Sequence, residues 1–411
     1  MSLLSLNRRF HTETDLTLPK RLSTLSDRGP EVRPHRGGLE QANIERVWRS
    51  MKGFYATGMN PGLALTLRRQ GELVFDRTLG YANLETRIPL AVDTPVCLFS
   101  ASKVVTAMLI HHLAEQGLLD LEQRVSHYLP AYGCNGKEQT KINHLLTHRA
   151  GIPRIRETVS PEAMFNPDQL TELLTRAEPD KPGRRQAYHA LTAGFILGAL
   201  IEKVTGESIN AVLDRVIRKP MGMTYFRFGI EGAEPALNYA TGIKNRAVDA
   251  FLTYAVGGPL DEAVRVSNDP RFRQVSIPAG NMYATGEEAT RFFQMLLNGG
   301  EWQGKQIFHP DTVKNAVAPA GPGRLDRTLM IPMRYSKGFM LGARVLSLYG
   351  LATEQAFGHL GFISIYCWAD PQRQLSGALL TTGKGILGPH VPALLRLQHV
   401  INREMRGAGG H

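Results

Sequence analysis

Residues 99–120 read FSASKVVTAMLIHHLAEQGLLD, and this stretch decides the fold. From Val104 to Leu113 it is apolar on almost every side and Gly117 ends it, the pattern of a helix packed inside a protein. Such a helix points its N-terminus into the molecule. With the helix beginning at Ser100, Lys103 lies three residues on, on the same face and within reach of the Ser100 hydroxyl. A serine hydroxyl is a poor nucleophile at neutral pH and needs a base or proton relay beside it. The unpaired N–H groups and partial positive charge of the same helix end suit a developing oxyanion. A Ser-x-x-Lys pair turns up by chance about once in a chain of this length, so the apolar helix behind it carries the reading. Ser102, adjacent to Lys103, faces away on a helix and is read as packing.

Outward from this helix, residues 39–58 (LEQANIERVWRSMKGFYATG) place apolar side chains at helical spacing and end in glycine. Residues 61–83 (PGLALTLRRQGELVFDRTLGYAN) form two alternating runs joined at Arg69-Gln70-Gly71, a hairpin with its turn. From about 120 to 330 the pattern is helical, broken by Pro- and Gly-rich loops. After Tyr335 strands return in SKGFMLGARVL, FISIYCWAD and QLSGALLTTG, and a last helix is expected near 391–405. Strands at both ends with helices between predict one sheet built from distant segments, residues 39–100 and 335–411, and an all-helical lobe over 101–334. A ligand cleft belongs between them. Residues 242–278 show little periodicity, which suits a lid or pocket wall with Phe251 and Tyr254 lining an acyl pocket, or a surface loop.

The first 38 residues are polar, with a very short apolar stretch ahead of Arg8 and Arg9, the reverse of a secretory signal. They are read as a partly disordered extension of a cytoplasmic protein. No run is apolar enough to span a membrane, and no membrane partner is expected. The net charge of +11 is spread in ones and twos, which argues against nucleic acid and leaves a coenzyme A thioester or acidic acyl carrier as the partner that basicity would favour. Cys97, Cys134 and Cys367 have no paired spacing and are read as buried structural thiols. His144 and His148 stand at i and i+4, but Leu145 takes the place of a glutamate and no third ligand is evident, so no metal or other cofactor is expected. His111 and His112 point to different helix faces. Asp120, Glu122 and Asp370 read as caps and turn residues.

Two further elements accompany Ser100 and Lys103. Tyr188 follows a loop opened by Pro182 and Gly183 and precedes a strongly apolar helix, where a nearby lysine would let it exchange protons. The run Phe357-Gly358-His359-Leu360-Gly361-Phe362 carries glycines at a strand edge, where backbone can approach a ligand. His359 there orients substrate, shares protons or fills the cleft wall.

Taken together these residues resemble the class C β-lactamase, family VIII esterase and D-alanyl-D-alanine peptidase group. FSASKVVTAMLIHHLAEQGLLDLEQRVSHYLPAY is similar to its nucleophile helix and continuation, and INHLLTHRAGIP to its Leu-Leu-Thr-His-x-x-Gly segment. GALIEKVTGESI, RKPMGMTYFRFG, PAGNMYATGEEATRFFQMLLNGG and FGHLGFISIYCWADP follow in the family's order. The resemblance implies an antiparallel sheet flanked by helices plus a helical lobe. It implies that Ser100 is acylated, Lys103 activates it, Tyr188 is the general base, and the backbone N–H groups of Ser100 and Phe362 form the oxyanion hole.

Two departures bear on substrate. The family's Tyr-x-Asn is here Tyr188-His189-Ala190, and its Lys-Thr-Gly is His359-Leu360-Gly361. The amide and the cation that hold penicillin-like and peptide substrates are missing. The expectation is therefore a carboxylesterase acting on small or medium acyl esters through an acyl-Ser100 intermediate. An acyltransferase, or a β-lactamase or peptidase, shares the mechanism. A non-catalytic binding relative would have no need of all three residues.

Overall fold

The computed structural model describes residues 22–155, 161–243 and 245–406. Its central strands are β1 (Ser26–Arg28), β2 (Gly62–Arg69), β3 (Glu72–Asn83), β4 (Arg324–Leu325), β5 (Pro332–Tyr335), β6 (Met340–Leu341), β7 (Phe357–Leu360), β8 (Tyr366–Asp370) and β9 (Leu375–Thr381). The hairpin predicted from the sequence joins β2 to β3 through Gln70 and Gly71, both left-handed at φ 53° and 83°, so that Arg69 pairs with Glu72. A two-residue turn of that kind matches the twist of the strands it joins. β2 and β9 pair over seven residues, Leu375 with Arg69 through Thr381 with Leu63, which stitches the two ends of the chain together. The sheet runs β1-β3-β2-β9-β8-β7-β6-β5-β4, with every neighbour antiparallel.

Helices cover both faces, which is why every residue of β2 and β9 is buried. On one face α1 (Gln41–Tyr55) and α5 (His390–Glu404) pack together over Leu63, Leu65, Leu67, Leu375 and Leu379. On the other lie α2 (Lys103–Glu115) and α4 (Gly286–Leu297), sharing a core with Ala64, Ala378 and Leu380. α3 (Thr192–Thr205) packs on α2 at the centre of the helical part. Each fully buried Leu, Ile or Met on α2 contributes roughly 1.5–3 kcal/mol of burial, which makes this helix a rigid support for what precedes it.

Three expectations change. Residues 26–38 are not an extension: β1 pairs with β3, and Glu31 bonds the Arg77 guanidinium at 2.7 and 2.8 Å. Three exposed residues show no alternation, so such an edge strand is legible only through its partner; residues 1–21 lie outside the described residues. The lobe boundaries also move. α4, expected in the helical lobe, packs on the sheet, and the chain rejoins the sheet at Arg324 rather than 335. Residues 242–278 are helical over Arg246–Val256, Leu260–Asn268 and Pro270–Gln274. Their buried Val248 and Leu252, then Leu260 and Val264, keep the i, i+4 spacing that intervening glycines disguised. Among the described residues no helix is long and apolar enough to cross a membrane.

Candidate active site

Ser100 lies not on the first turn of α2 but in the tight 3₁₀ turn Phe99–Ser102 that leads into it. Phe99 is left-handed at φ 47°, an unfavourable conformation for an aromatic residue, held by its surroundings. Ser102 supplies the clamp: its hydroxyl donates to the Phe99 carbonyl and accepts the Met282 N–H at 3.0 Å. The Leu98 N–H bonds the Met282 carbonyl at 2.7 Å. Ser102 is thus structural, as its position suggested, while Ser100 is left half-buried.

The expected proximity of Ser100 and Lys103 is present, with Nζ 3.1 Å from Oγ. Lys103 Nζ also reaches the carbonyls of Ala190 at 2.5 Å and Ala279 at 2.9 Å. Burial pushes this ammonium well below the usual lysine range. Ala279 is fixed from behind by Gly194 on α3, where an added Cβ would lie 2.5 Å from the Ala279 methyl. Tyr188 completes the group: its phenol hydrogen-bonds Ser100, and Lys103 Nζ lies 5.1 Å from its ring centroid. Burial drives the phenol upward, and the nearby Asp326 carboxylate adds to that despite the bond from Ser100. Burial thus disfavours both the ammonium of Lys103 and the phenolate of Tyr188.

Asp326 was not anticipated. Fully buried, it accepts the backbone N–H of Tyr188 at 3.0 Å and those of Thr328 and Leu329 at 2.9 Å on one oxygen. Its other oxygen accepts the Tyr335 hydroxyl at 3.0 Å. An aspartate two residues before a threonine in a loop is a turn signature, and that signal was available, but its partner 138 residues away was not. Asp326→Ala leaves four donors unpaired, three of them buried, and is expected to cost about 3 kcal/mol or more. The expected loss of turnover is about 10- to 100-fold. Asp326→Asn retains an acceptor for the three N–H groups and should recover most of both, as read by urea midpoint and ester hydrolysis.

At the end of β7, a Cβ on Gly361 would stand 2.5 Å from the Leu98 carbonyl, so only glycine lets this strand pass the turn that carries Ser100. The Phe362 ring packs on Phe99, centroids 5.5 Å apart, and left-handed Ile363 and Ser364 turn the chain back into β8. His359 is buried. Its Nδ1 is 2.5 Å from the Leu360 carbonyl, which makes Nδ1 the donor, and Nε2 has no partner among the described residues. Burial, with Lys103 nearby, holds it down to about 3, so it is uncharged at neutral pH. His148 is wedged between the rings of Tyr188 and Tyr335, each 4.8 Å away, and its Nδ1 accepts the His189 N–H at 3.2 Å. His144 instead accepts the Lys141 N–H, so the i, i+4 pair serves two separate backbone contacts.

A cavity of about 540 Å³ opens beside Ser100, Ala190 and Phe362. Its walls are largely apolar, with Met164, Leu170, Leu174, Phe195, Val266 and Phe272 among them, and its charged side chains are Arg154 and Glu262. The region 242–278 does form a wall, through Thr253, Ala255, Gly257 and Gly258. Phe251 and Tyr254 are not among the lining residues. Phe251 packs into the small core around Val248 and Leu252, and Tyr254 lies outside, stacked at 4.3 Å by the Arg154 guanidinium. Cys97 and Cys367 are buried as expected; Cys134 is only half-buried, its thiol 3.2 Å from the Thr175 carbonyl. Asp120 caps the turn at Glu122, and Asp370 caps the turn Pro371–Arg373, while Glu122 accepts from Asn143 at 2.8 Å.

Known proteins share this fold. The esterase/β-lactamase LipL of Mycobacterium tuberculosis is 26% identical over 370 residues, 86% of this chain and 84% of LipL. Among solved structures, a family VIII carboxylesterase superposes with a TM-score of 0.76 at 26% identity, covering 88% of this chain and 98% of its own. A penicillin-binding protein homologue from Caulobacter crescentus gives a TM-score of 0.76 at 26% identity, covering 89% and 99%. The beta-lactamase family model matches residues 49–399, a span that holds the Ser100 turn, Tyr188 and the β7 edge together. The chain belongs to the beta-lactamase family of serine hydrolases.

Proposed function

We propose that the protein is a carboxylesterase working through an acyl-Ser100 intermediate. The observation that carries this is the Ser100–Lys103 bond of 3.1 Å at the edge of a large, mainly apolar cavity. With two N–H groups given to the Ala190 and Ala279 carbonyls, a neutral Lys103 has its lone pair left for the Ser100 proton. Ser100 Oγ then attacks the ester carbonyl carbon while its proton passes to Lys103 Nζ. The tetrahedral oxyanion is held by the backbone N–H groups of Ser100 and Phe362, each such donor contributing about 3 kcal/mol. Tyr188, protonated at rest, hands its proton to the departing alkoxide and is refilled from Lys103, as the carbon–oxygen bond breaks. Water then repeats the sequence in reverse and releases the acid. Lys103 is in this reading the first proton acceptor, and Tyr188 the relay.

Substrate choice follows from what the site lacks. Ala190 offers no amide, and uncharged His359 offers no cation for a carboxylate. A neutral ester with an apolar acyl group meets the cavity without leaving a polar group unpaired. Brief exposure to p-nitrophenyl butyrate is expected to give rapid turnover or a butyryl adduct in the intact mass, with nitrocefin hydrolysed poorly. Efficient nitrocefin hydrolysis would make the protein a lactamase or peptidase. Inertness towards both would leave a dedicated donor, such as a coenzyme A or carrier thioester.

A further inference from the structure

Of the eleven large apolar side chains that are exposed among the described residues, six fall within 27 residues on two hairpins. Leu325, Met330 and Ile331 belong to the β4–β5 hairpin. Val345, Leu346 and Leu351 belong to the small hairpin of Leu346–Ser347 and Gly350–Leu351. Their exposures run from 41% to 76%. The two hairpins share one support. Leu329 from the first and Leu348 from the second pack on the same small core, which also contains Tyr188 and Ala190. The Arg334 guanidinium, on β5, donates to the Gly342 carbonyl at 2.7 Å, three residues before the second hairpin begins at Val345. Met330 is left-handed at φ 59°, a turn position where glycine or asparagine is at home. Stability alone gives no reason to present a methionine to solvent there.

Charge accompanies the apolar surface. Arg324, Arg327 and Arg344 are exposed on the same two segments, and none is ion-paired with a carboxylate of the described residues. Between 324 and 355 the acidic residues are Asp326, which is buried, and Glu354. The patch also runs to the cavity: the Tyr254 hydroxyl bonds the Arg327 carbonyl at 3.3 Å, and Tyr254 carries the stacked Arg154 of the cavity wall. Exposed aliphatic side chains concentrated on two hairpins that share a support point to an interaction surface. A two-fold contact between copies would bring two arginine-rich, carboxylate-poor faces together, which is repulsive. Protruding aliphatic hairpin tips ringed by arginine suit a bilayer with negative headgroups, the tips in the acyl boundary and the guanidinium groups at the phosphates.

We propose that the hairpins of residues 324–333 and 345–351 form a docking face for anionic lipid surfaces, adjoining the mouth of the acyl cavity. This departs from the expectation of no membrane partner, which rested on the lack of a long apolar run; six side chains on two hairpin tips leave no such run in a sequence. The face stands apart from the esterase reading, because binding is measured with the Ser100→Ala protein.

The test is co-sedimentation of full-length Ser100→Ala protein with vesicles of phosphatidylcholine, with and without phosphatidylglycerol. Binding is expected on the anionic vesicles and should weaken with salt. The Met330→Asp, Val345→Asp, Leu346→Asp triple variant should lose more than about tenfold in partitioning, and each of Arg324→Gln, Arg327→Gln and Arg344→Gln about fivefold. Unchanged thermal melts will show that these exposed variants fold. Separately, Val345→Trp emission should shift to the blue on the anionic vesicles alone. Absence of vesicle binding, or equal binding by the triple aspartate variant, overturns the proposal. So does a concentration-dependent dimer, seen by sedimentation velocity, that the same variants dissociate, since the face would then belong to a second copy.

Discussion

Ser100→Ala is expected to lower ester turnover by about a million-fold while leaving the melting temperature almost unchanged. The size follows from removing a nucleophile whose partners act only through it, leaving oxyanion stabilisation and binding alone. The small stability cost follows from position: Ser100 is half-buried and its hydroxyl bonds Lys103 rather than the scaffold. Ser102→Ala should behave in the opposite way. Its buried hydroxyl joins the Phe99 carbonyl to the Met282 N–H, so its loss frees two backbone groups and costs about 1–3 kcal/mol. Turnover should fall only as far as the nucleophile turn loosens. Parallel chemical melts and p-nitrophenyl butyrate assays separate the two serines. Full turnover in Ser100→Ala would move the nucleophile elsewhere and end the acyl-Ser100 mechanism.

The contrast between these serines shows what one chain discloses and what it hides. Ser100 and Lys103 are legible because helical spacing is local, and the apolar run behind them states which end is buried. The hairpin at Gln70-Gly71 is legible for the same reason. Tyr188 is legible through its family motif, since nothing within a few residues distinguishes it from a packed tyrosine. Asp326, which fixes the Tyr188 backbone, and the Ala279 carbonyl, which fixes Lys103, act from 138 and 176 residues away. Neither contact has any local periodicity. Protonation states are hidden for a related reason. Whether Lys103 is a cation depends on how completely distant segments exclude water from it, and a lysine in a sequence is charged by default. The misplacement of Phe251 and Tyr254 has a simpler origin. Aromatic residues are the natural expectation for pocket walls, whereas here the helix and the glycine that ends it offer small residues, Ala255 and Gly257, to the cavity.

The charge on Lys103 also sets the largest effect after the nucleophile itself. Lys103→Arg keeps a basic residue of similar length yet is expected to lose about 10⁴-fold in kcat/KM, because a guanidinium stays charged and has no lone pair to offer. Raising the pH should not restore it. Lys103→Met, uncharged and flexible, should lose a comparable factor. In the unmutated protein, kcat/KM is expected to hold through neutral pH and fall only on the acid side, as the Lys103–Tyr188 pair takes up a proton. Stability gives an independent reading of the same group. Burial lowers the folded pKa of Lys103 beneath its ordinary 10.5, so below that value the unfolded chain binds a proton that the folded chain refuses. Stability from this residue is therefore present above pH 10.5 and declines as pH falls towards the folded pKa. The stability of Lys103→Met relative to the unmutated protein should accordingly be greater at pH 7 than at pH 10. If instead kcat/KM rises only near pH 10 and the relative stabilities do not change with pH, Lys103 is a cation at rest. The Ser100 proton would then have to leave through Tyr188 first, with Lys103 following, and the order of the two proton transfers would be reversed.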